Sequence, residues 1–158
     1  MTQHHQHTDV LARSGNLPLA AILLAGLAGQ AIFEITALVL IPALLGMPLM
    51  PAALVTALSQ SLLGFDVGMG AAWAVHLVAG IVAFPLGYLA LQRATGLSWP
   101  AAGTLWGIVL WLLAQAVLAP LAGRPFMLGF VPYTWASLGA HLAYTLVVAF
   151  ALARLARR

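Results

Sequence analysis

The chain has 158 residues, of which 63% are hydrophobic and 6% charged, with six arginines, three acids, no lysine and no cysteine. A water-soluble domain draws about a quarter of its residues from the charged set, so this composition, with a mean hydropathy of +1.04, excludes one and requires an integral membrane protein. The lack of cysteine excludes disulfides and thiolate chemistry, and the few scattered arginines form no patch for nucleic acid.

The N-terminal tail, residues 1–18, begins MTQHHQHTD; His4, His5 and His7 could bind a divalent metal, and the simpler reading is a disordered polar tail with no function. Only Arg13 precedes the first apolar run, and that run is longer than the apolar stretch of a cleavable signal. A span needs about 20 apolar residues to cross a ~30 Å hydrocarbon core. Four segments meet this, at residues 19–45, 71–91, 101–122 and 134–153, followed by a basic terminus at 154–158. Between the first two spans, Leu54, Val55, Leu58, Leu62 and Phe65 recur at helical spacing opposite Thr56, Ser59 and Gln60, which predicts a short amphipathic helix in the membrane interface. The expected fold is therefore all-α, a single-domain four-helix up-down bundle.

Arg13, Arg93, Arg154, Arg157 and Arg158 fall on one side of this topology and Arg124 alone on the other, which places both termini in the cytoplasm. Trp73, Trp99 and Trp135 sit near span ends, where interfacial anchors belong. Met47, Met50, Met69 and Met127 lie in or beside the first and third loops, either as flexible filler or as soft ligands suited to Cu(I).

The two halves echo each other. PALLGMPLM (42–50) ends the first span and PLAGRPFM (120–127) the third; Gly29 precedes Pro42 by the same interval as Gly107 precedes Pro120. HLVAGIVAF (76–84) likewise resembles HLAYTLVVAF (141–150). This suggests a tandem hairpin repeat about an axis along the membrane normal. Gly103 with Gly107, and Ala79, Ala83 and Gly87, form small-residue ridges for close helix packing. Pro42, Pro85 and Pro120 are expected to kink or end their helices.

Polar side chains inside the spans are the candidates for function: Gln30 and Glu34 on the first, His76 on the second, Gln115 on the third and His141 on the fourth. Counting residues at 1.5 Å each puts Glu34, His76, Gln115 and His141 about 8–16 Å from the non-cytoplasmic end of their spans. An ionised carboxylate at such depth costs on the order of 2.5–3.5 kcal/mol, so Glu34 is expected to face inward, protonated or paired, with Gln30 one turn away as a partner. The second and fourth helices should lie diagonally, about 11–14 Å apart. That spacing leaves room between His76 and His141 for a haem b iron held by both, or for a metal ion bound by His76, His141 and Glu34, with Gln115 beside it. The alternative is interhelical hydrogen bonding, worth about 0.6 kcal/mol on average. A third reading makes Glu34 a proton carrier. No P-loop, nucleophile elbow or HExxH is present, and Asp66 has no acidic neighbour, so nothing points to hydrolysis or phosphoryl transfer.

GLAGQAIFE in the first span, WAVHLVAG in the second, LWGIVLWLLAQAVLAPLAG in the third and GAHLAY in the fourth together resemble a group of small bacterial four-span membrane proteins classed as a domain of unknown function. The resemblance covers most of the chain and implies a bundle in a bacterial inner membrane, with His76 and His141 at the group's histidine positions; it brings no activity, substrate or cofactor. The resulting expectation is a non-catalytic inner-membrane protein, an accessory subunit of a larger membrane complex or a homo-oligomer. A haem- or metal-binding redox protein and a small proton-coupled transporter are the alternatives.

Overall fold

Long apolar runs without water to hydrogen-bond their main chain must satisfy it internally, and the chain does so as helix. A computed structural model describes residues 18–156; the histidine tail, Arg13, Arg157 and Arg158 lie outside the described residues. Four helices are long and apolar enough to cross a membrane: α1 (Leu19–Leu45), α3 (Gly68–Thr95), α4 (Trp99–Leu121) and α5 (Pro132–Leu155). The shorter α2 (Pro51–Leu63) lies between α1 and α3. The protein is thus a multi-pass, all-α membrane bundle with no strand among the described residues.

The second and fourth spans are longer than hydropathy indicates. The main-chain N–H of Gly68 donates to Asp66 Oδ1 at 2.7 Å, which starts α3 early, and Gln92 and Arg93 continue it until Gly96, at φ +66, stops it. Pro132, whose fixed φ suits a first helical turn, starts α5.

Helix α1 packs against both α5 and α3, and α4 packs along α5. Helices α3 and α4 meet through Phe84–Thr95 and Trp99–Leu112, near their short shared loop, and diverge towards the first and third loops. There α2 lies along the Gly68–Val78 half of α3 and touches the end of α4, so it roofs the opening between them. Two hydrogen bonds hold it: Arg124 Nη2 to Ala53 O at 3.1 Å, and Met50 N–H to Tyr133 Oη at 3.3 Å. Its pattern departs from a simple interfacial helix. Leu54, Val55 and Leu58 face into the bundle, whereas Leu62, Leu63 and Phe65 are exposed. Ser59, expected on the polar face, is buried, donating to Thr56 O and accepting Val67 N–H.

The three prolines pass through their helices by one device. Wide π turns occupy Thr36–Leu40, Ala79–Ala83 and Leu113–Leu118, each ending two residues before a proline. There Ile41, Phe84 and Ala119 donate five residues back, to Thr36, Ala79 and Ala114. In that register the next carbonyls, those of Ala37, Gly80 and Gln115, would receive the proline N–H, which does not exist. Other elements supply two of the missing donors: Leu49 N–H reaches Ala37 O at 3.1 Å, and Tyr144 Oη–H reaches Gly80 O at 2.6 Å. The third vacant position falls on the main chain of Gln115.

Gly29 and Gly107 stand in matching positions relative to these turns, and both press against α5, Gly29 on Tyr144 and Val148 and Gly107 on Leu142 and Thr145. The correspondence between halves does not extend to the second helix of each pair, since α5 is regular where α3 carries a π turn. Near the α3–α4 loop, buried Tyr88, Leu89, Val148, Ala149 and Leu152 close the bundle. At the opposite end, the turn Met127–Phe130 holds left-handed φ values of +50 to +71, a conformation costing about 1–2 kcal/mol per non-glycine residue. Buried Met127 and the bond from Thr134 Oγ1 to Met127 O at 2.8 Å pin it.

Candidate functional site

The polar side chains singled out in the sequence fall into two groups on either side of Phe33. On the α1–α3 seam, Gln30 and Glu34 lie one turn apart on α1, and His76 faces them from α3. Gln30 Nε2 donates to Glu34 Oε1 at 2.6 Å, and His76 Nε2 lies 2.9 Å from the same oxygen. His76 Nε2 is also 2.8 Å from Gln30 Nε2. One arrangement satisfies the carboxylate: both nitrogens donate to Oε1, and the short nitrogen–nitrogen approach is a consequence of their sharing it. Glu34 Oε2 is buried without a partner. The helices come this close because Gly26 and Gly80 lack side chains: a Cβ on Gly80 would strike Gln30 Oε1, and one on Gly26 would strike the Ile81 main chain.

On the α4–α5 seam, Gln115 Nε2 donates to Ser137 Oγ at 3.0 Å. One turn on, His141 Nδ1–H donates to the Ser137 carbonyl at 2.7 Å. That bond fixes the tautomer and leaves Nε2 of His141 with a lone pair. Gln115 is buried, and its Oε1 has no partner.

Phe33 is buried and touches both imidazoles, its ring centroid 5.6 Å from that of His76 and 5.4 Å from that of His141. The diagonal expected to be open is also bridged by the Tyr144–Gly80 bond. A metal ion held by both imidazoles needs each nitrogen about 2.0–2.1 Å away, and Phe33 stands where the two rings would have to converge. His76 Nε2 is engaged by Glu34 and His141 Nδ1 by Ser137. Among the described residues no three of His, Cys, Asp and Glu come close enough to share an ion. The three-ligand arrangement of His76, His141 and Glu34 that the sequence suggested is therefore not assembled among the described residues.

What these groups do share is a cavity of about 300 Å³ in the opening between α3 and α4, beneath α2. Gln30, His76, Gln115 and His141 all line it; Glu34 lies behind them on the seam. Phe33, Phe84, Tyr133 and Tyr144 contribute rings, Ala79 and Ala114 leave width, and Leu54, Val55 and Leu58 form the roof. Arg124 is also among the lining residues. Sequence reasoning missed Phe33, Ser137, Tyr133 and Tyr144. For Ser137 a signal existed, a hydroxyl one turn before His141 on the same helix face. For Phe33 there was none, since a phenylalanine in a span is ordinary.

His76→Leu is expected to destabilise the protein by about 1–3 kcal/mol, because Glu34 Oε1 keeps only the Gln30 amide. Adding Glu34→Leu should recover most of the loss, because removing both partners is far cheaper than removing one. Detergent unfolding of both single variants and the double variant checks this coupling; additive losses would contradict it.

No family model, no curated protein and no solved structure matches the chain.

Proposed function

We propose that the protein is a non-catalytic binding protein of the bacterial inner membrane that takes a small, mostly apolar molecule into the cavity under α2. The observation that carries this reading is the cavity itself, about 300 Å³, at the lower end of the ~300–1,000 Å³ typical of ligand pockets. Its lining is apolar and aromatic with a few converging polar groups, the usual make-up of such sites. The buried core at the α3–α4 loop gives no support to a path through the bundle, and no specific observation favours proton-coupled transport. Raised thermal stability in lipid nanodiscs with propylbenzene or 4-propylphenol, and none with a compound too large for the cavity, is the expected result. Equal shifts with all of them would count against a defined site.

The arginine distribution supports cytoplasmic termini, and the resemblance to small bacterial four-span proteins supports the inner membrane. Because the chain lacks cysteine, Ser61→Cys and Leu97→Cys report on this directly: an impermeant maleimide should label the first from outside intact cells and not the second. An accessory role beside a larger complex draws support from α3 and α4, whose most apolar windows are only 22% and 28% buried against 39% for α1 and α5. Isolation from native membranes returning the bare protein alone would sink that role.

A further inference from the structure

The chemistry of the unpaired groups narrows the ligand, an inference resting on the cavity reading above. Two acceptors at the cavity lack donors: Gln115 Oε1, buried without a partner, and His141 Nε2, whose lone pair is left by the Nδ1–H bond to the Ser137 carbonyl. Ser137 ties them into one unit, its Oγ accepting from Gln115 and its carbonyl from His141. A buried acceptor without a donor is costly, so the unit favours a ligand that brings an O–H or N–H. No carboxylate lines the cavity, so a cationic amine would find no counter-charge among the lining residues. An anionic head placed at Gln115 and His141 would set acceptor against acceptor, and the guanidinium of Arg124, which also lines the cavity, is engaged with Ala53 O at 3.1 Å. The body of the ligand meets the rings of Phe33, Phe84, Tyr133 and Tyr144, which suit a planar aromatic partner packed face to edge. The volume of about 300 Å³ admits a ring with short substituents.

We propose that the cavity binds an uncharged monocyclic phenol or hydroquinone, its hydroxyl donating to the Gln115–Ser137–His141 unit and its ring seated against Phe33 and Tyr144. Helix α2, tethered through Arg124 and Tyr133, covers it.

The test compares 4-propylphenol with 4-propylanisole, the same body without the donor, titrated into the full-length protein in lipid nanodiscs. Saturable binding of the phenol, with the anisole at least about tenfold weaker, is expected from the loss of a buried hydrogen bond. Gln115→Leu should weaken the phenol about tenfold and leave the anisole within about twofold. Anisole binding as tightly as the phenol in the wild-type protein would overturn the donor assignment and leave the cavity reading standing. Binding of neither would overturn both. The wild-type comparison stands without any variant, so a poorly folding Gln115→Leu does not weaken the test.

Discussion

Gly26→Ala is expected to loosen the α1–α3 seam and to cost about 1–3 kcal/mol of stability, with Gly26→Leu worse. The reason is what a side chain would meet. A Cβ at Gly26 runs into the carbonyl oxygen of Ile81, with the carbonyl carbon and Cα of Ile81 at 2.8 and 2.9 Å. A side chain can rotate away from a new methyl group, but main chain inside a π turn moves only with its helix. Such close approach through small residues is how transmembrane helices gain packing energy when lipid is as apolar as their side chains. Displacing α3 would also pull His76 from Glu34, so the loss should include part of that polar contact. Gly139→Ala is the control, since nothing lies within 4 Å of its added Cβ, and it should leave stability unchanged or raise it by up to about 1 kcal/mol through helix propensity. Reversible unfolding in mixed micelles compares the two, and equal behaviour would remove the close approach from the account.

Tyr144→Phe should cost a similar amount, about 1–3 kcal/mol, because it strips the donor from a buried carbonyl that its own helix cannot serve. The Gly80 oxygen lies opposite Pro85 in the π register and receives the Tyr144 hydroxyl at 2.6 Å. This explanation makes the effect conditional. In a Pro85→Ala background the helix regains an N–H for that carbonyl, in either the π or the α register. The Tyr144→Phe loss should then shrink by half or more, roughly 1 kcal/mol of coupling. No loss on Tyr144→Phe would mean that Tyr144 acts only through its ring packing on Phe33 and Phe84, and a loss of the same size in both backgrounds would remove the missing proline N–H from the explanation.

The fold was legible where the physics is one-dimensional. Hydrophobic length locates the four spans, and the first runs over residues 19–45 in sequence and structure alike. Span ends governed by polar or turn chemistry were less legible: Asp66 and Gly96 set the limits of α3 through a side-chain hydrogen bond and a left-handed residue, neither of which registers as hydropathy. Proline could be seen, but not the π turns that accommodate it. Those depend on donors from distant residues, Leu49 and Tyr144.

The candidate site shows the same division. The pairing of Gln30 with Glu34 follows from spacing on one helix and is observed. The gathering of His76, Gln115 and His141 at one end of the bundle follows from their depths, and Gln30 comes with Glu34. What lies between the histidines could not be read, because helix rotation decides it, and rotation here depends on which glycine meets which neighbour. Phe33 fills the gap that idealised bundle geometry leaves open, and the free space lies instead between α3 and α4, where a helix read as interfacial serves as the roof.

If the space between α3 and α4 is a binding site, filling it abolishes binding. Ala114 borders the cavity, so Ala114→Phe places a ring inside it. Calorimetric titration of 4-propylphenol into nanodisc-embedded protein should give saturable one-to-one binding for the wild type and none for folded Ala114→Phe. Identical isotherms for the two proteins, or no saturable binding by the wild type, would contradict the account.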